Sequence, residues 1–387
     1  MVKHLVKSCF EFQKAKHLQR SISRKKGREL NLDSPSRFLC FQMNAIGDAI
    51  MSQPAWTQLK SAFPNARIDL ICRHHVASLF EEDPAIHAVF PFQVQRLRSW
   101  LFKDSSRLKG ILDKGNYDFL IDFTALPLTA AVCGSESTAP SIGFQRWIDS
   151  PSGRINLGLA YDMVFPYSEK ESIRGLMAQV VSPWTNVNNN ERLSFLNISD
   201  STTHKAHGIL KEQKLKEGQF LVLHPGAKWL PKRWPISCWR KLISLLKENL
   251  PMPLVVLGSS EDEALINGIL TESGNSHTKS ILLTEIDLSS AIIKMASLCV
   301  CNDSAAMHIA AAVGTRSVSL FGPVSPERSA PSKKEGCHVF YENMFCSPCT
   351  LYYSRNRCRR GLNFCMYAIK PELVYQKIQE IISEKVL

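Results

Sequence analysis

Short apolar runs alternate with segments of helical spacing along two long stretches of this chain. In the first stretch the runs are RFLCFQ, ARIDLIC, AIHAVFPF, YDFLIDF and SIGF, and in the second QFLVLHPG, PLVVLGSS, SILLT, LCVCN and SVSLFGP. Each run is short enough to be one strand, and the segments between the runs place apolar residues every three or four positions. Strict alternation of this kind predicts an α/β protein with two doubly wound, mostly parallel sheets.

The alternation weakens between residues 150 and 210, where Ser, Asn and Lys are frequent. We therefore expect a basic extension over 1–36, a first Rossmann-like domain over 37–205 and a second over 206–387. The second domain is expected to contain a Cys-rich segment at 346–365 and a terminal helix. Because ligands of such sheets lie at the carboxyl ends of the strands, the loops that follow the strands are the expected site.

Composition and the lengths of the apolar runs indicate the cellular compartment and the class of protein. The 387-residue chain is 44% hydrophobic, yet no apolar run approaches the roughly 18 residues of a membrane-spanning helix. Its basic N-terminus has no continuous apolar segment of the kind that a signal peptide needs. Twelve cysteines in such a chain favour a reducing cytoplasm, where thiols are packed or metal-bound.

The formal net charge of +12 is unevenly distributed. Residues 1–36 hold nine Lys and Arg against three acidic residues, which is half of the excess. Val2, Leu5, Val6 and Phe10 recur there at helical spacing beside lysines, as in an interfacial amphipathic helix, although a solvated tail can have the same composition. Excess positive charge also suits nucleic acid or another polyanion.

Two loops carry polar residues directly after predicted strands. In MNAIGDAI, Gly47 permits a tight turn and Asp48 comes at the start of the next helix, where Asp is also a common N-cap. In HPGAKWLPKRWP, backbone amides around Gly226 precede Lys228 and Lys232. Amides and a cation at the end of a strand favour a phosphate ligand over a solvated basic loop.

Two further loops open helices after strands. In GSSEDEAL, Glu261 can either cap the helix or accept the hydroxyl groups of a ribose. In CNDSAAMHIAAAVGT, Asp303, Ser304 and His308 stand at the mouth of an Ala-rich helix whose first N–H groups have no partner within the helix. An Asp-Ser cap explains this pattern as a structural feature, and an anion site explains it as a functional one.

The C-terminal segment CSPCTLYYSRNRCRRGLNFCM contains Cys346, Cys349, Cys358 and Cys365. Its Cys-X-X-Cys pair is a metal-binding signal, whereas the second pair is separated by six residues, which is wider than in most structural zinc sites. Both a structural zinc ion and packed thiols are compatible with this spacing.

Three blocks of the sequence resemble, in order and spacing, the lipopolysaccharide heptosyltransferases of glycosyltransferase family 9. They are MNAIGDAIMSQPAWTQLKSAFPNARIDLIC, LHPGAKWLPKRWP and CNDSAAMHIAAAVGTRSVSLFGPVSPER. The resemblance extends from Arg37 to the C-terminus. It implies a GT-B fold, in which two Rossmann-like domains face each other across a cleft, with the acceptor in the N-terminal domain and the nucleotide sugar in the C-terminal one.

The resemblance also implies roles for individual residues. Asp48 resembles the general base, Lys232 the lysine that contacts the diphosphate and ribose of the donor, and Glu261 the carboxylate that holds the nucleoside. The remaining donor-binding and acceptor-binding residues form two sets. The donor set is Gly226, Asp303, Ser304, Ala305 and His308, and the acceptor set is Asn44, Gly47, Arg96 and Arg98.

The implied reaction is transfer of heptose from ADP-heptose to an anionic, lipid-linked inner-core saccharide, with inversion at the anomeric carbon. No cofactor is expected to be required, and no Asp-X-Asp pair at a strand end indicates a metal clamp on the diphosphate. The enzyme is expected to be cytoplasmic and peripheral on the inner face of the membrane, with no nucleic-acid partner. Where the family often has Gly after Asn-Asp-Ser, this chain has Ala305 and Ala306, and this difference bears on the donor sugar.

Proteins with other functions have some of the same sequence features. A related transferase could use another nucleotide sugar, and a sugar-nucleotide epimerase would have a similar fold but would turn over the donor alone. A zinc-containing nucleic-acid-binding protein would use the cysteines and the surplus charge. A NAD-dependent enzyme is the least favoured, because no Gly-X-Gly-X-X-Gly follows a predicted strand.

Overall fold

The computed structural model divides the chain into two compact units, Met1–Arg192 and Leu193–Leu387. The residues that the structure describes are 30–93, 105–135, 137–150, 153–185, 194–271, 278–349 and 357–384. Each unit is built on one six-stranded sheet in which neighbouring strands run parallel. The predicted α/β class with two doubly wound sheets is confirmed.

The first sheet has the strand order β3-β2-β1-β4-β5-β8. Its strands are β1 Arg37–Gln42, β2 Arg67–Arg73, β3 Ala88–Phe92, β4 Phe119–Asp122, β5 Ser141–Gln145 and β8 Met163–Pro166. The helices of this unit are α1 Ile46–Ala62, α2 Ser105–Gly115, α3 Pro127–Ser135 and α4 Ile173–Val181. A separate antiparallel hairpin pairs β6 Trp147–Ser150 with β7 Gly153–Asn156. Strands β1 and β4 are almost wholly buried, as expected for central strands covered on both faces.

The second sheet repeats this arrangement with the order β11-β10-β9-β12-β13-β14. Its strands are β9 Leu221–His224, β10 Leu254–Gly258, β11 Thr278–Leu282, β12 Leu298–Asn302, β13 Ser317–Phe321 and β14 Cys337–Tyr341. The helices are α5 Asp200–Glu212, α6 Ile236–Asn249, α7 Glu263–Leu270, α8 Ile286–Lys294, α9 Ala305–Ala312, α10 Pro326–Ser329, α11 Phe364–Tyr367 and α12 Pro371–Ser383. In both sheets the order reverses between the first and fourth strands, which is where doubly wound folds bind ligands.

Two tryptophans fix the loop that follows β9. Trp234 and Trp239 are buried in the core of the second unit, and their rings meet edge to face with centroids 5.1 Å apart. The indole N–H of Trp234 donates to the carbonyl of Ile369, just before the terminal helix α12, at 3.2 Å. Of the apolar residues interleaved with the charges of KWLPKRWP, Trp234 is thus a core residue that holds the loop beside the sheet, whereas Trp229 is half-buried and Leu230 is exposed.

The stretch after residue 150, where the sequence shows little periodicity, contains a strand and a helix that were not predicted, and the boundary between the two units lies earlier than predicted. Strand β8 adds to the first sheet beside β5, and α4 packs against α1. The second unit begins at Leu193, and the predicted boundary at 205/206 falls inside α5. Thr202 of α5 donates its hydroxyl to Asp287 of α8 at 3.2 Å, so α5 is part of the second unit. Local periodicity missed this because β8 has only four residues, which alternate between half-buried and exposed.

Among the described residues, no helix has both the length and the apolar character needed to cross a bilayer. Most of the predicted 1–36 extension, including its amphipathic segment, lies outside those residues.

Candidate functional site

The candidate donor site lies at the reversal point of the second sheet. Strands β9 and β12 are neighbours there, with His224 opposite Cys301, so the loops that follow the two strands emerge side by side. We call residues 225–235, between β9 and α6, the donor loop. The predicted residues Gly226 and Lys232 lie on the donor loop, and Asp303 and Ser304 follow β12.

Lys232 reaches across from the donor loop to the residue after β12. Its Nζ lies 2.7 Å from Oδ2 of Asp303, and the two side chains are only 18% and 6% exposed. The ammonium group also lies 5.0 Å from the ring centroid of Trp229. Because the pair is largely shielded from water, its electrostatic attraction is screened less than that of a surface ion pair. The structure thus brings together two predicted site residues that are 71 positions apart.

Ser304 is the N-cap of α9, but its hydroxyl does not cap the helix. Its Oγ is buried and makes no hydrogen bond within the described residues. The helix begins at Ala305, so its first amides face the same end as Ser304. His308 lies one turn further along and is buried. A buried hydroxyl beside a helix N-terminus can donate to an anion that binds there.

Gly226 is required by a close approach that the sequence did not reveal. A Cβ atom at this position would lie 2.8–2.9 Å from the carboxylate of Asp262. Arg233 donates to Asp262 Oδ1 at 3.2 Å and, through Nε, to the carbonyl of Ala227 at 2.9 Å. Arg233 and Asp262 therefore tie the donor loop to the loop after β10, a structural role that sequence reasoning missed.

The sequence offered two roles for Glu261, helix capping and nucleoside binding, and the structure gives the capping role to its neighbour Asp262. Asp262 is buried and accepts hydrogen bonds from the backbone N–H and hydroxyl of Ser259, so it closes the turn before α7. Glu261 is exposed in the same turn. The capping role considered for Glu261 therefore belongs to Asp262, and the nucleoside-binding role of Glu261 stays a prediction.

Asn302 links the ends of two strands. It is the last residue of β12 and is fully buried. Its Nδ2 donates to the carbonyl of Pro225 at 2.7 Å, and its Oδ1 accepts from the backbone N–H of Trp234 at 3.1 Å. One amide thus holds both ends of the donor loop. The position of Asn302 directly after a buried apolar run is the signal from which this role could have been inferred.

His224 ends β9 beside this loop. Burial lowers the pKa of its imidazole, partly offset by the negative charge of Asp262. The ring is therefore neutral at physiological pH, and its Nδ1 makes no hydrogen bond within the described residues.

Asp48 lies at the corresponding reversal point of the first sheet, after β1. The helix α1 begins at Ile46, so Gly47 and Asp48 are in its first turn and Ala45 is the N-cap. Asp48 Oδ2 accepts from the backbone N–H of Ala45 at 3.3 Å. Gly47 and Asp48 are thus already helical, so Gly47 does not form the turn before the helix, and the N-cap position considered for Asp48 is occupied by Ala45. Asp48 instead contributes to the cap from the third helical position.

The predicted acceptor residues are only partly described. The side chain of Asn44 donates to the carbonyl of Thr124, in the loop after β4, at 3.5 Å, and the backbone N–H of Met43 donates to the hydroxyl of Thr124 at 2.9 Å. The loops after β1 and β4 are thus joined next to Asp48. Arg96 and Arg98 lie outside the described residues.

The four cysteines of the C-terminal segment line one cavity of about 190 Å³ in the second unit. Burial and the neighbouring thiols raise the pKa of Cys349 and Cys365 to about 11. In the described part of the chain, no three His, Cys, Asp or Glu side chains are grouped so that they could hold a metal ion. The cavity gathers Cys346, Cys349, Cys358 and Cys365 without forming a metal site as it stands, and zinc stays a prediction from their spacing.

Comparison with known proteins matches this architecture to one family. Residues 106–359 match the model of glycosyltransferase family 9 (heptosyltransferase). Lipopolysaccharide heptosyltransferase 1 of Pseudomonas aeruginosa is 24% identical over an alignment of 326 residues, which covers 81% of this chain and 86% of that protein.

Two solved structures have the same fold. The Escherichia coli ADP-heptose lipopolysaccharide heptosyltransferase II has a TM-score of 0.71 and 18% identity, over 91% of this chain and all of that one. The E. coli heptosyltransferase WaaC with ADP-2-deoxy-2-fluoro heptose has a TM-score of 0.64 and 18% identity, over 89% and 99%. The two Rossmann-like units are therefore those of a GT-B fold, and the match to the family model covers well over half of the sequence. This chain is a glycosyltransferase that belongs to glycosyltransferase family 9, the heptosyltransferase family.

Proposed function

We propose that this chain transfers heptose from ADP-heptose to the inner core of a lipopolysaccharide, with inversion at the anomeric carbon. The observation that carries the proposal is the shielded Lys232–Asp303 pair at the mouth of α9, beside the buried Ser304 hydroxyl. Lys232, Ser304 and the first amides of α9 together form a site for a nucleoside diphosphate.

The chemistry of transfer explains why these groups are needed. As the bond between the anomeric carbon and the diphosphate breaks, negative charge grows on the departing phosphate oxygens. A cation and hydrogen-bond donors that are already in place stabilise that charge without reorganising. The Asp303 carboxylate holds the Lys232 ammonium at this position before the donor arrives. Ala305, Ala306 and His308 complete the proposed wall around the diphosphate, and exposed Glu261 is proposed to meet the nucleoside.

Asp48 is the proposed general base. Direct displacement requires one base that takes the proton of the acceptor hydroxyl late in the step. A carboxylate has about four lone-pair positions, so it can accept the hydrogen bond from the N–H of Ala45 and also one from an acceptor hydroxyl. Asn44 and Gly47 beside it, together with Arg96 and Arg98, are proposed to bind the acceptor.

The proposed acceptor is an anionic saccharide on a lipid, so the enzyme has to work at a membrane surface. A net charge of +12, half of it in residues 1–36, would draw the enzyme to an anionic membrane surface. We propose a peripheral enzyme on the inner face of the cytoplasmic membrane. The names of the relatives support this acceptor, since the P. aeruginosa protein is a lipopolysaccharide heptosyltransferase.

The donor is tested by thermal unfolding with ADP, UDP and GDP and their sugars. A ligand at about 100 times its dissociation constant adds about 2.7 kcal/mol to the free energy of unfolding. We expect ADP and ADP-heptose to give the largest shift and heptose transfer to follow from ADP-heptose alone. Equal shifts from the three nucleotides would reject ADP-heptose as the donor. They would favour the alternative that this chain is a related transferase with another nucleotide sugar as its donor.

A further inference from the structure

Asn363 contacts the donor loop from a distant part of the sequence. Its side-chain Nδ2 donates to the carbonyl of Pro231 at 3.2 Å and to the carbonyl of Arg233 at 2.9 Å. These two residues flank Lys232, the proposed diphosphate ligand. One side-chain amide therefore fixes the backbone on both sides of the residue whose ammonium group the site needs.

The backbone around Lys232 has little support of its own. Leu230–Lys232 form a single 3-10 turn, with one hydrogen bond from the N–H of Lys232 to Trp229 at 2.9 Å and one from the N–H of Arg233 to Leu230 at 3.0 Å. A turn of this length has no cooperative ladder of hydrogen bonds. The position of Lys232 is consequently set by contacts that come from outside the turn.

Asn363 itself is held firmly. It is the N-cap of α11, and its carbonyl accepts from the N–H groups of Met366 and Tyr367 at 2.9 and 3.2 Å. Met366 is fully buried and packs against Gly322, which follows β13. A Cβ atom at Gly322 would lie only 2.4 Å from the Met366 sulfur, so the absence of a side chain there makes room for Met366. Asn363 is thus anchored to the sheet that also carries Asp303 after β12.

We propose that Asn363 is a positioning residue for donor binding, which holds the Lys232 backbone so that the ammonium group stands at the mouth of α9 before the nucleotide arrives. This inference rests on the proposed diphosphate role of Lys232. Holding the lysine in advance removes the cost of ordering its turn when the donor binds. The Cys-rich segment at 346–365 therefore contributes one amide, that of Asn363, to the proposed donor site.

The chemistry of the amide makes the proposal specific. An Asn NH₂ group has two N–H donors, and in Asn363 each of them donates to one backbone carbonyl oxygen. Asn363→Ala removes both bonds. Asn363→Asp places an ionised carboxylate against two carbonyl oxygens, so it should be more harmful than Ala although the two side chains have nearly the same shape. A matched control is Asn249→Ala, since Asn249 also donates its Nδ2 to a backbone carbonyl, that of Leu245, on the exposed end of α6.

The first measurement is hydrogen exchange of the Lys232 and Arg233 amides without nucleotide. We expect Asn363→Ala to speed their exchange by about tenfold and Asn363→Asp by more, while Asn249→Ala leaves both amides unchanged. Unchanged exchange in both Asn363 variants would overturn the proposal. So would faster exchange throughout the second unit, because that result would show a general structural role. This arm involves no ligand, so it decides the positioning role even if the proposed function fails.

The second measurement is a double-mutant cycle on ADP affinity. We expect Asn363→Ala to weaken ADP binding by about three- to tenfold in the wild-type background and to have almost no further effect in a Lys232→Ala background. Transfer assays should show a raised donor KM with a smaller change in kcat. Additive effects of the two substitutions would overturn the proposal, because Asn363 would then act independently of Lys232. Failure of the wild-type protein to bind ADP would instead reject the proposed function.

Discussion

Asp48 lies in the first turn of α1, where a carboxylate can stabilise the helix or accept a proton. Its 3.3 Å contact with the N–H of Ala45 shows that the helix does use this side chain. An Asn side chain could accept the same hydrogen bond through its amide oxygen. Substitution by Asn therefore separates the structural role from the catalytic one.

We expect Asp48→Asn to lower kcat by at least about a hundredfold, because an amide cannot take the proton of the acceptor hydroxyl. That loss corresponds to about 2.7 kcal/mol of activation free energy. The proposed nucleotide site is on the other unit, so ADP affinity should stay within about threefold of wild type. Near-normal transfer by a stably folded Asp48→Asn enzyme would show that Asp48 only supports the helix.

At the scale of elements, the proposed donor site depends on contacts between loops. Gly226 and Asp262 bring the loops after β9 and β10 within van der Waals distance, and Arg233 bridges them by hydrogen bonds. A side chain at residue 226 would push the Asp262 carboxylate away from Ser259 and Arg233. Both the turn before α7 and the donor loop would then lose a partner.

We expect Gly226→Ala to destabilise the protein by about 1–3 kcal/mol, the usual cost of an added methyl group in a packed site. ADP affinity should fall as well, because the donor loop is displaced. Gly208→Ala is a suitable control, since Gly208 lies in α5 with open space around its Cβ position. In that helix Ala should be neutral or stabilising by up to about 1 kcal/mol. Equal unfolding free energies for the Gly226→Ala variant and wild type would contradict the loop-contact interpretation.

At the scale of the whole molecule, charge is the property that bears on location. Residues 1–36 carry half of the net positive charge, and anionic lipids attract such segments. We expect deletion of residues 1–36 to weaken binding to vesicles that contain anionic lipid and to leave binding to neutral vesicles unchanged. Transfer to a soluble acceptor analogue should stay at the wild-type rate. Unchanged binding to anionic vesicles would show that the extension has no part in membrane attachment.

The sequence by itself determined that the chain has two parallel sheets, which loops carry the candidate site, and the family. Strand and helix periodicities are local, so LCVCN and RFLCFQ are the strands β12 and β1 with the predicted bounds. Polar residues directly after a buried run marked Asp303 and Ser304, because parallel strands deliver their carboxyl ends to one edge of the sheet. Lys232 was marked by its place on the loop after β9 and by the family resemblance.

Only the tertiary structure decided which side chains hold that site together. Asn363 lies 130 positions from Arg233, and Asp262 rather than Glu261 meets the donor loop. No periodicity encodes either contact, because they depend on how distant segments pack on the same sheet. Strand β8 was missed for the same reason, since four residues have too little pattern to show a partner that lies across the sheet.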